Sequence, residues 1–118
     1  MLATGTGIGP YLSILKTDES WNKFKKVILV HAVRYKKELT YLKTIKELKD
    51  KYKDKFIYIT YVSREKIENS LEGRIPNSIS SGILEKEANT KITDNNTHIM
   101  ICGNPEMVSD TTKELKKI

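Results

Sequence analysis

Two continuous runs of apolar and β-branched residues constrain the fold of this chain more than any other feature. They are residues 27–33 (VILVHAV) and residues 56–62 (FIYITYV). A strand with one face in water would alternate apolar and polar residues, so these runs indicate strands that are buried on both faces. Sheets built from such strands are parallel and carry helices on both sides.

Further strands and helices alternate around these two runs. Residues 1–3 are the tail of an apolar strand, and residues 98–102 form a fourth strand. Helices are predicted around residues 11–15, 39–52, 77–86 and 105–117, and residues 94–97 are typical of a turn. This alternation predicts a three-layer α/β sandwich, in which right-handed crossovers join the strands of a parallel sheet.

The segment between the first strand and the first helix is rich in glycine and reads Thr4-Gly5-Thr6-Gly7-Ile8-Gly9-Pro10. Glycine allows positive φ angles and lets the backbone approach a pyrophosphate closely, while the helix N-terminus offers N–H groups to an anion. The segment therefore predicts a phosphate-binding turn. A tight turn without a ligand stays open as the alternative, because the segment departs from the G-x-G-x-x-G fingerprint of dinucleotide-binding proteins.

Arginines follow the predicted strands at their carboxyl ends, which is where open parallel sheets bind ligands. Arg34 follows the second strand, Ser63 and Arg64 follow the third, and Arg74 lies one loop later. A guanidinium group can bind a phosphate monoester through two hydrogen bonds. Taken singly, each arginine is also explained as a surface residue. Taken together, at the strand ends, they favour NADP over NAD.

The fourth strand runs into the segment Cys102-Gly103-Asn104-Pro105-Glu106-Met107-Val108, which opens the last helix. Glycine permits the close approach of a ligand, and Asn104 or Pro105 begins the helix. Cys102 is the only thiol of the chain, and a small buried hydrophobic residue is the alternative to a binding role for it. His31 and His98 are expected to be packed or hydrogen-bonded within strands.

Length, charge and composition exclude several classes of protein. The 118 residues correspond to one domain, and no apolar stretch approaches the ~20 residues that span a bilayer. We expect a cytoplasmic protein with no membrane partner, no disulfide and no metal site. The net charge of +6 is explained by solvated lysine-rich helices or by a docking surface for an acidic protein. A nucleic-acid partner is not expected, because no binding motif is present.

Together these segments resemble the bacterial ferredoxin–NADP reductases. Residues 1–10 are similar to the NADP pyrophosphate loop of that family, and residues 102–108 are similar to the block whose cysteine lies beside the nicotinamide. Residues 30–34, 62–65 and 73–76 are similar to the segments that recognise the adenosine 2′-phosphate. The first and last blocks are shared with cytochrome and oxygenase reductases. The arginine segments are more specific and point to the bacterial ferredoxin or flavodoxin reductases.

The resemblance implies that residues 1–118 form the NADP-binding domain of the ferredoxin reductase-like fold, with four of about five strands present. Family members bind FAD on an N-terminal β-barrel through an Arg-x-Tyr-Ser motif, which does not occur here. We therefore expect the barrel and a C-terminal strand to be missing, and the chain alone to be inactive. The complete enzyme would be a monomer that transfers electrons between NADPH and ferredoxin or flavodoxin.

The resemblance also implies roles for particular residues. Cys102 would hold the nicotinamide in line for hydride transfer, which is the expected catalytic contribution of this chain. The expected NADP-binding residues are Thr4, Gly5, Thr6, Gly7, Pro10, Arg34, Ser63, Arg64, Arg74, Cys102, Gly103, Asn104 and Met107. Two other functions remain open: the equivalent domain of an oxygenase reductase or other NAD(P)H-dependent reductase, and a stand-alone nucleotide-binding module.

Overall fold

The strands form one parallel sheet in the computed structural model, which describes residues 1–93 and 95–118. The strands are β1 (Leu2–Thr4), β2 (Val27–Val33), β3 (Phe56–Val62) and β4 (Ile101–Cys102). Their order across the sheet is β3-β2-β1-β4, and all three neighbouring pairs are parallel. The predicted parallel sheet is therefore confirmed.

Helices cover both faces of this sheet. They are α1 (Ile8–Leu15), α2 (Glu19–Lys23), α3 (Leu42–Tyr52), α4 (Ile75–Ser81), α5 (Ile83–Ala88) and α6 (Pro105–Leu115). One core joins α1, α2 and α3 to the sheet and includes Leu15 and Leu48. The other core joins α4 and α5 to the opposite face through Ile79 and Leu84, with Leu115 of α6 packed against it. This arrangement is the predicted three-layer sandwich.

The pairing of β2 with β3 forms the longest ladder of the sheet. It runs without interruption from Val27 opposite Phe56 to Val33 opposite Val62. Leu29 and Val30 are both 0% exposed although they are neighbours in β2. Because successive side chains of a strand point to opposite faces, both faces of β2 are buried, as the apolar run predicts. None of the helices in residues 1–93 and 95–118 is long and apolar enough to cross a membrane.

The fourth strand is shorter than the predicted segment 98–102. Only Ile101 and Cys102 pair with β1, opposite Leu2 and Ala3, and the N–H of Leu2 also donates to the carbonyl of Met100. The partner strand β1 has three residues, and two of them, Leu2 and Ala3, are paired with β4. His98 lies outside the strand, and its ring packs against Phe24 with the centroids 5.3 Å apart.

Two predicted helices have different bounds in the structure. The helix expected around residues 77–86 is divided into α4 and α5 by Gly82, whose φ of +82° ends α4. The helix expected around residues 39–52 begins only at Leu42, because Tyr41 before it has a φ of +60° and is not helical. Residue 94 of the predicted turn 94–97 lies outside the described residues.

Helix α2 was not predicted, since its five residues are too few to show a helical period. Trp21 anchors this helix to the core. Its ring stacks on Tyr52 with centroids 3.6 Å apart and meets the edge of Phe56 at 5.7 Å. The indole N–H donates to the backbone carbonyl of Leu15 over 2.8 Å. A buried tryptophan with its polar atom satisfied therefore connects α1, α2, α3 and β3.

We predict that Trp21→Ala lowers the free energy of unfolding by about 3–5 kcal/mol, because it removes a large buried ring and leaves a cavity. Urea unfolding followed by circular dichroism measures this change. Leu42→Ala is the control: its side chain is 55% exposed at the start of α3, so its loss should cost less than about 1 kcal/mol. Equal effects of the two substitutions would contradict the anchoring role of Trp21.

Candidate functional site

The carboxyl ends of all four strands open into one cleft of about 620 Å³. Thr4 ends β1, Val33 ends β2, Ser63 follows β3 and Cys102 ends β4, and each of these residues lines the cleft. The sheet order places β1 in the middle, between β2 and β4. The chain leaves β1 for one side of the sheet and later returns on the other side, which is the position where open α/β sheets bind ligands.

Most residues expected at the site line this cleft. They are Thr4, Gly5, Thr6, Gly7, Arg34, Ser63, Arg74, Cys102, Gly103, Asn104 and Met107. Two expected residues, Pro10 and Arg64, do not line it; both are exposed, Pro10 within α1 and Arg64 after β3. The backbone N–H of Arg64 donates to the carbonyl of Arg34 over 2.9 Å. The backbone at Arg64 therefore runs beside Arg34, which does line the cleft.

Gly7 needs to be glycine because of a contact within the protein. A Cβ atom built on Gly7 would lie 2.6 Å from the carbonyl oxygen of Cys102, a separation that real Cβ atoms do not show. The sequence suggested that glycines here serve the close approach of a ligand. At Gly7 the glycine also lets the turn after β1 pack directly on the end of β4. Gly5 is the position with a positive φ, +52°.

The start of α6 packs against the end of β1 in a matching way. A Cβ atom on Gly103 would collide with the hydroxyl of Thr4 and the terminal methyl of Met107. The N–H of Asn104 points to the same Thr4 hydroxyl, 3.4 Å away. The side-chain oxygen of Asn104 accepts from the N–H of Met107 at 2.8 Å and so caps α6. The contact between Asn104 and Thr4 joins positions that are 100 residues apart.

Arginines occupy one end of the cleft. Arg34 directly follows β2, and Arg74 precedes the first residue of α4. The N–H of Ser63 donates to the carbonyl of Val33 over 3.0 Å, which continues the β2–β3 ladder beyond the strands and keeps Ser63 beside Arg34. Arg34 and Arg74 are both exposed, and both line the cleft. Two cations and a hydroxyl that line one cleft suit a phosphate monoester.

Three carboxylates that were not expected also line the cleft: Glu38, Glu106 and Asp110. Glu38 accepts the backbone N–H of Tyr35 over 2.9 Å and closes the short turn after β2. Asp110 lies three residues after Met107, and residues at that spacing share one face of a helix. The spacing from Met107 could therefore have identified Asp110, whereas the position of Glu38 depends on how the turn after β2 folds.

His31 is hydrogen-bonded within the strand, as expected, but its partner belongs to the glycine turn. Its Nε2 lies 2.8 Å from the carbonyl oxygen of Gly5, and the residue is 0% exposed. Burial lowers the pKa of His31, while the hydrogen bond to Gly5 and the charge of Glu38 oppose this shift. The imidazole is therefore neutral at pH 7.

Cys102 is half-buried where β4 meets the cleft, and it packs against the core that contains Tyr11. Burial raises the pKa of Tyr11 to about 12, with a smaller contribution from Cys102. The phenol of Tyr11 is therefore neutral at pH 7. The structure agrees with both interpretations of Cys102, because the residue contacts the core and lines the cleft.

The comparisons of this chain with known proteins all point to the same family. Residues 1–113 match the oxidoreductase NAD-binding domain. The chain is 55% identical over 117 residues to a flavodoxin/ferredoxin–NADP reductase of Buchnera aphidicola subsp. Schizaphis graminum, covering 99% of this chain and 46% of the relative. It is 50% identical to the flavodoxin/ferredoxin–NADP reductase of Escherichia coli, covering 94% of this chain and 45% of the relative. The chain thus spans about half the length of the curated relatives it matches.

A solved structure agrees with this result. The ferredoxin NADP+ reductase of Neisseria gonorrhoeae, with bound FAD and NADP, superimposes with a TM-score of 0.90 at 36% identity. The match covers 99% of this chain and 47% of that protein. The cytochrome b5 reductase domain of Ulva prolifera nitrate reductase shares the fold, with a TM-score of 0.79 at 20% identity.

We predict opposite effects from adding one methyl group at two neighbouring glycines. Gly7→Ala should destabilise the chain by about 1–3 kcal/mol, because the backbone of Cys102 has to move. Gly9→Ala should stabilise it by up to about 1 kcal/mol, since alanine favours the helix and the new Cβ would meet only the hydroxyl of Tyr41 at 3.6 Å. Urea unfolding followed by Trp21 fluorescence measures both changes. Similar results at the two positions would contradict the close contact at Gly7.

Proposed function

Since the chain belongs to the oxidoreductase NAD-binding domain family, we propose that it is the NADP-binding part of a ferredoxin or flavodoxin–NADP reductase. The observation that carries this proposal is the meeting of three chemically different groups in one cleft. A glycine-rich turn, an arginine pair and a single cysteine come from the ends of different strands and face the same space. Such a cleft matches the three parts of NADP: pyrophosphate, phosphorylated ribose and nicotinamide.

The pyrophosphate is proposed to bind at the turn after β1. Thr4, Gly5, Thr6 and Gly7 line the cleft there, and α1 begins directly afterwards at Ile8. Backbone N–H groups and the positive end of a helix favour a phosphate at such a position. Pro10 does not line the cleft, and its proposed contribution is to the first turn of α1, where its fixed φ angle suits the helix.

The 2′-phosphate is proposed to bind at the arginine end. Arg34, Ser63 and Arg74 line this end, and together they offer charged and neutral donors to phosphate oxygens. Arg64 remains part of the proposal, because its exposed side chain leaves the backbone beside Arg34. A site selective for NAD would more often present a carboxylate to the free ribose hydroxyl. The carboxylates of Glu38 and Glu65 near this end each accept a backbone N–H of the turn after β2, from Tyr35 and Lys36 respectively.

The nicotinamide is proposed to bind beside Cys102, Gly103, Asn104 and Met107, at the end of β4 and the start of α6. NADP, when bound, supplies the hydride donor or acceptor of the reaction. The residues of this chain bind the ring and orient it, and Cys102 contributes by its position against the ring. The close packing of the Cys102 backbone on Gly7 restricts where Cys102 can lie.

The complete enzyme is proposed to pass electrons between NADPH and ferredoxin or flavodoxin through FAD. The relatives named for this activity are about twice as long as this chain. The Neisseria gonorrhoeae structure, which superimposes with a TM-score of 0.90, carries FAD as well as NADP. We therefore propose that FAD is held mainly by a β-barrel domain outside these 118 residues, and that the chain alone does not oxidise NADPH.

We predict that Arg34→Ala and Arg74→Ala each weaken NADP binding far more than NAD binding. Loss of a hydrogen bond to a charged phosphate costs about 1.5–3 kcal/mol, or about 10- to 150-fold in Kd. Arg64→Ala tests the third arginine separately and is expected to act in the same direction. Isothermal titration of the chain with NADP and with NAD measures both affinities.

Lys66→Ala is the matched control for the arginine substitutions. Lys66 is an exposed cation two residues after Arg64, and it does not line the cleft. Its removal lowers the net charge by the same amount, so it should change the Kd for NADP less than about twofold. Equal losses for NADP and NAD in the arginine variants would overturn the assignment of the 2′-phosphate site.

We predict that Cys102→Ala slows hydride transfer by roughly tenfold or more in the full-length enzyme while the Kd for NADP changes little, because small displacements of a reacting ring are costly. Stopped-flow reduction of the flavin by NADPH gives the rate, and titration with NADP gives the affinity. Cys102→Ser keeps the size of the side chain and should recover part of the rate. The reverse pattern, with weaker binding and an unchanged rate, would show that Cys102 acts only in packing.

A further inference from the structure

We infer that His31 is a positioning residue for the phosphate-binding turn, holding the peptide between Gly5 and Thr6 so that the N–H of Thr6 points into the cleft. The inference rests on the proposed function, because it assumes that the turn binds the pyrophosphate of NADP. His31 is not among the residues that line the cleft, so it would act on the ligand only through the backbone of the turn.

The burial of His31 requires an explanation. The residue is 0% exposed in the middle of the sheet, opposite Ala3 of β1 and Thr60 of β3. Neighbouring positions of β2, such as Leu29 and Val30, carry the apolar side chains that suit this environment. A polar group in such a place costs free energy unless it is hydrogen-bonded. A histidine therefore needs a specific partner here, and its Nε2 has one in the carbonyl oxygen of Gly5.

The hydrogen bond determines which ring nitrogen carries the hydrogen. A carbonyl oxygen only accepts, so the Nε2 of His31 must be the donor to Gly5 across 2.8 Å. The other ring nitrogen, Nδ1, is buried and has no hydrogen-bond partner among residues 1–93 and 95–118. A second hydrogen on Nδ1 would create an unpaired buried donor and a buried charge. The ring is therefore the neutral Nε2–H tautomer, with one donor directed at the turn.

The orientation of the Gly5 carbonyl sets the orientation of the next N–H group. In a planar trans peptide the C=O and the N–H point in opposite directions. Because the oxygen of Gly5 points to the buried ring of His31, the N–H of Thr6 points away from the core, and Thr6 lines the cleft. A phosphate in the cleft would meet this N–H rather than a carbonyl oxygen, which would repel it.

The turn requires such a restraint because of its own sequence. Gly5 has a φ of +52°, and a glycine can adopt many other backbone angles at little cost. Gly5 begins a single turn of 3-10 helix, Gly5–Gly7, and a Cβ atom on it would meet nothing within 4 Å, so no neighbouring side chain fills the space where its own side chain would be. The hydrogen bond from His31 connects this glycine to a fully buried position of β2 that is paired with strands on both sides.

A set of three variants separates this role from simple core packing. His31→Gln places an amide N–H close to the position of Nε2, His31→Asn places one near Nδ1, and His31→Leu removes both donors. Each variant is titrated with NADP and, by competition, with adenosine 2′-monophosphate, which carries the 2′-phosphate but no pyrophosphate. We expect His31→Leu and His31→Asn to weaken NADP binding about tenfold, since an oriented hydrogen-bond donor is lost. Adenosine 2′-monophosphate should bind all variants as it binds the wild type.

His31→Gln is expected to keep most of the affinity for NADP, which a role in filling space would not explain. Wild-type affinity in a folded His31→Leu variant would overturn the inference, as would equal losses for both ligands. If the wild-type chain binds neither NADP nor adenosine 2′-monophosphate, the proposed function itself fails, and the inference fails with it. If the wild type binds NADP and the His31→Leu variant binds it equally well, the inference fails and the proposed function stands.

A measurement on the wild type keeps the inference testable should the variants unfold. In nuclear magnetic resonance spectra, the ¹⁵N shifts of His31 report the tautomer, and the amide signal of Thr6 reports contact with an added anion. We expect the Nε2–H tautomer, and we expect the Thr6 signal to move when inorganic pyrophosphate is added. The Nδ1–H tautomer, or a Thr6 amide that does not move while its neighbours do, would overturn the inference.

Discussion

The packing of two loops against each other holds the whole site together. Gly7 leaves no room for a side chain against the backbone of Cys102, and Gly103 leaves none against the hydroxyl of Thr4. Through these paired contacts the end of β1 and the end of β4 pack directly against each other. The proposed pyrophosphate and nicotinamide sites lie on these two loops, so their spacing is set by backbone contact. Hydride transfer depends on such spacing, because a misplaced ring reacts slowly.

The arginine end of the cleft is built differently. Arg34 and Arg74 are exposed. The β2–β3 ladder continues past the strands only through the backbone hydrogen bonds of Ser63 and Arg64. Long side chains at a rim can adapt to a phosphate without moving the sheet. The site thus combines close backbone packing beside β1 and β4 with exposed arginine side chains, which suits the proposed selection of NADP by its 2′-phosphate. The hydrogen bond between His31 and Gly5 connects β2 to the turn after β1.

Much of the fold could be predicted because burial on both faces leaves a clear pattern. The runs 27–33 and 56–62 became strands with the predicted bounds. Prediction was wrong where an element depends on a partner elsewhere in the chain. Residues 98–102 are apolar enough for a strand, but β1 can pair only with Ile101 and Cys102. Helix α2 has no period of its own and is held by the contacts of Trp21 with Tyr52, Phe56 and Leu15.

By itself, the sequence determined the chemistry of the site: which residues can bind phosphate, and that they follow the ends of buried strands. Those properties are local, because turn composition and apolar runs can be read within a few residues. Only the tertiary structure decided that the backbone at Gly7 packs on Cys102, that Glu38 lines the cleft, and that His31 contacts Gly5. Each of these depends on segments far apart in the chain, as Thr4 and Asn104 are by 100 residues. Such contacts arise from the sheet order, which no local pattern contains.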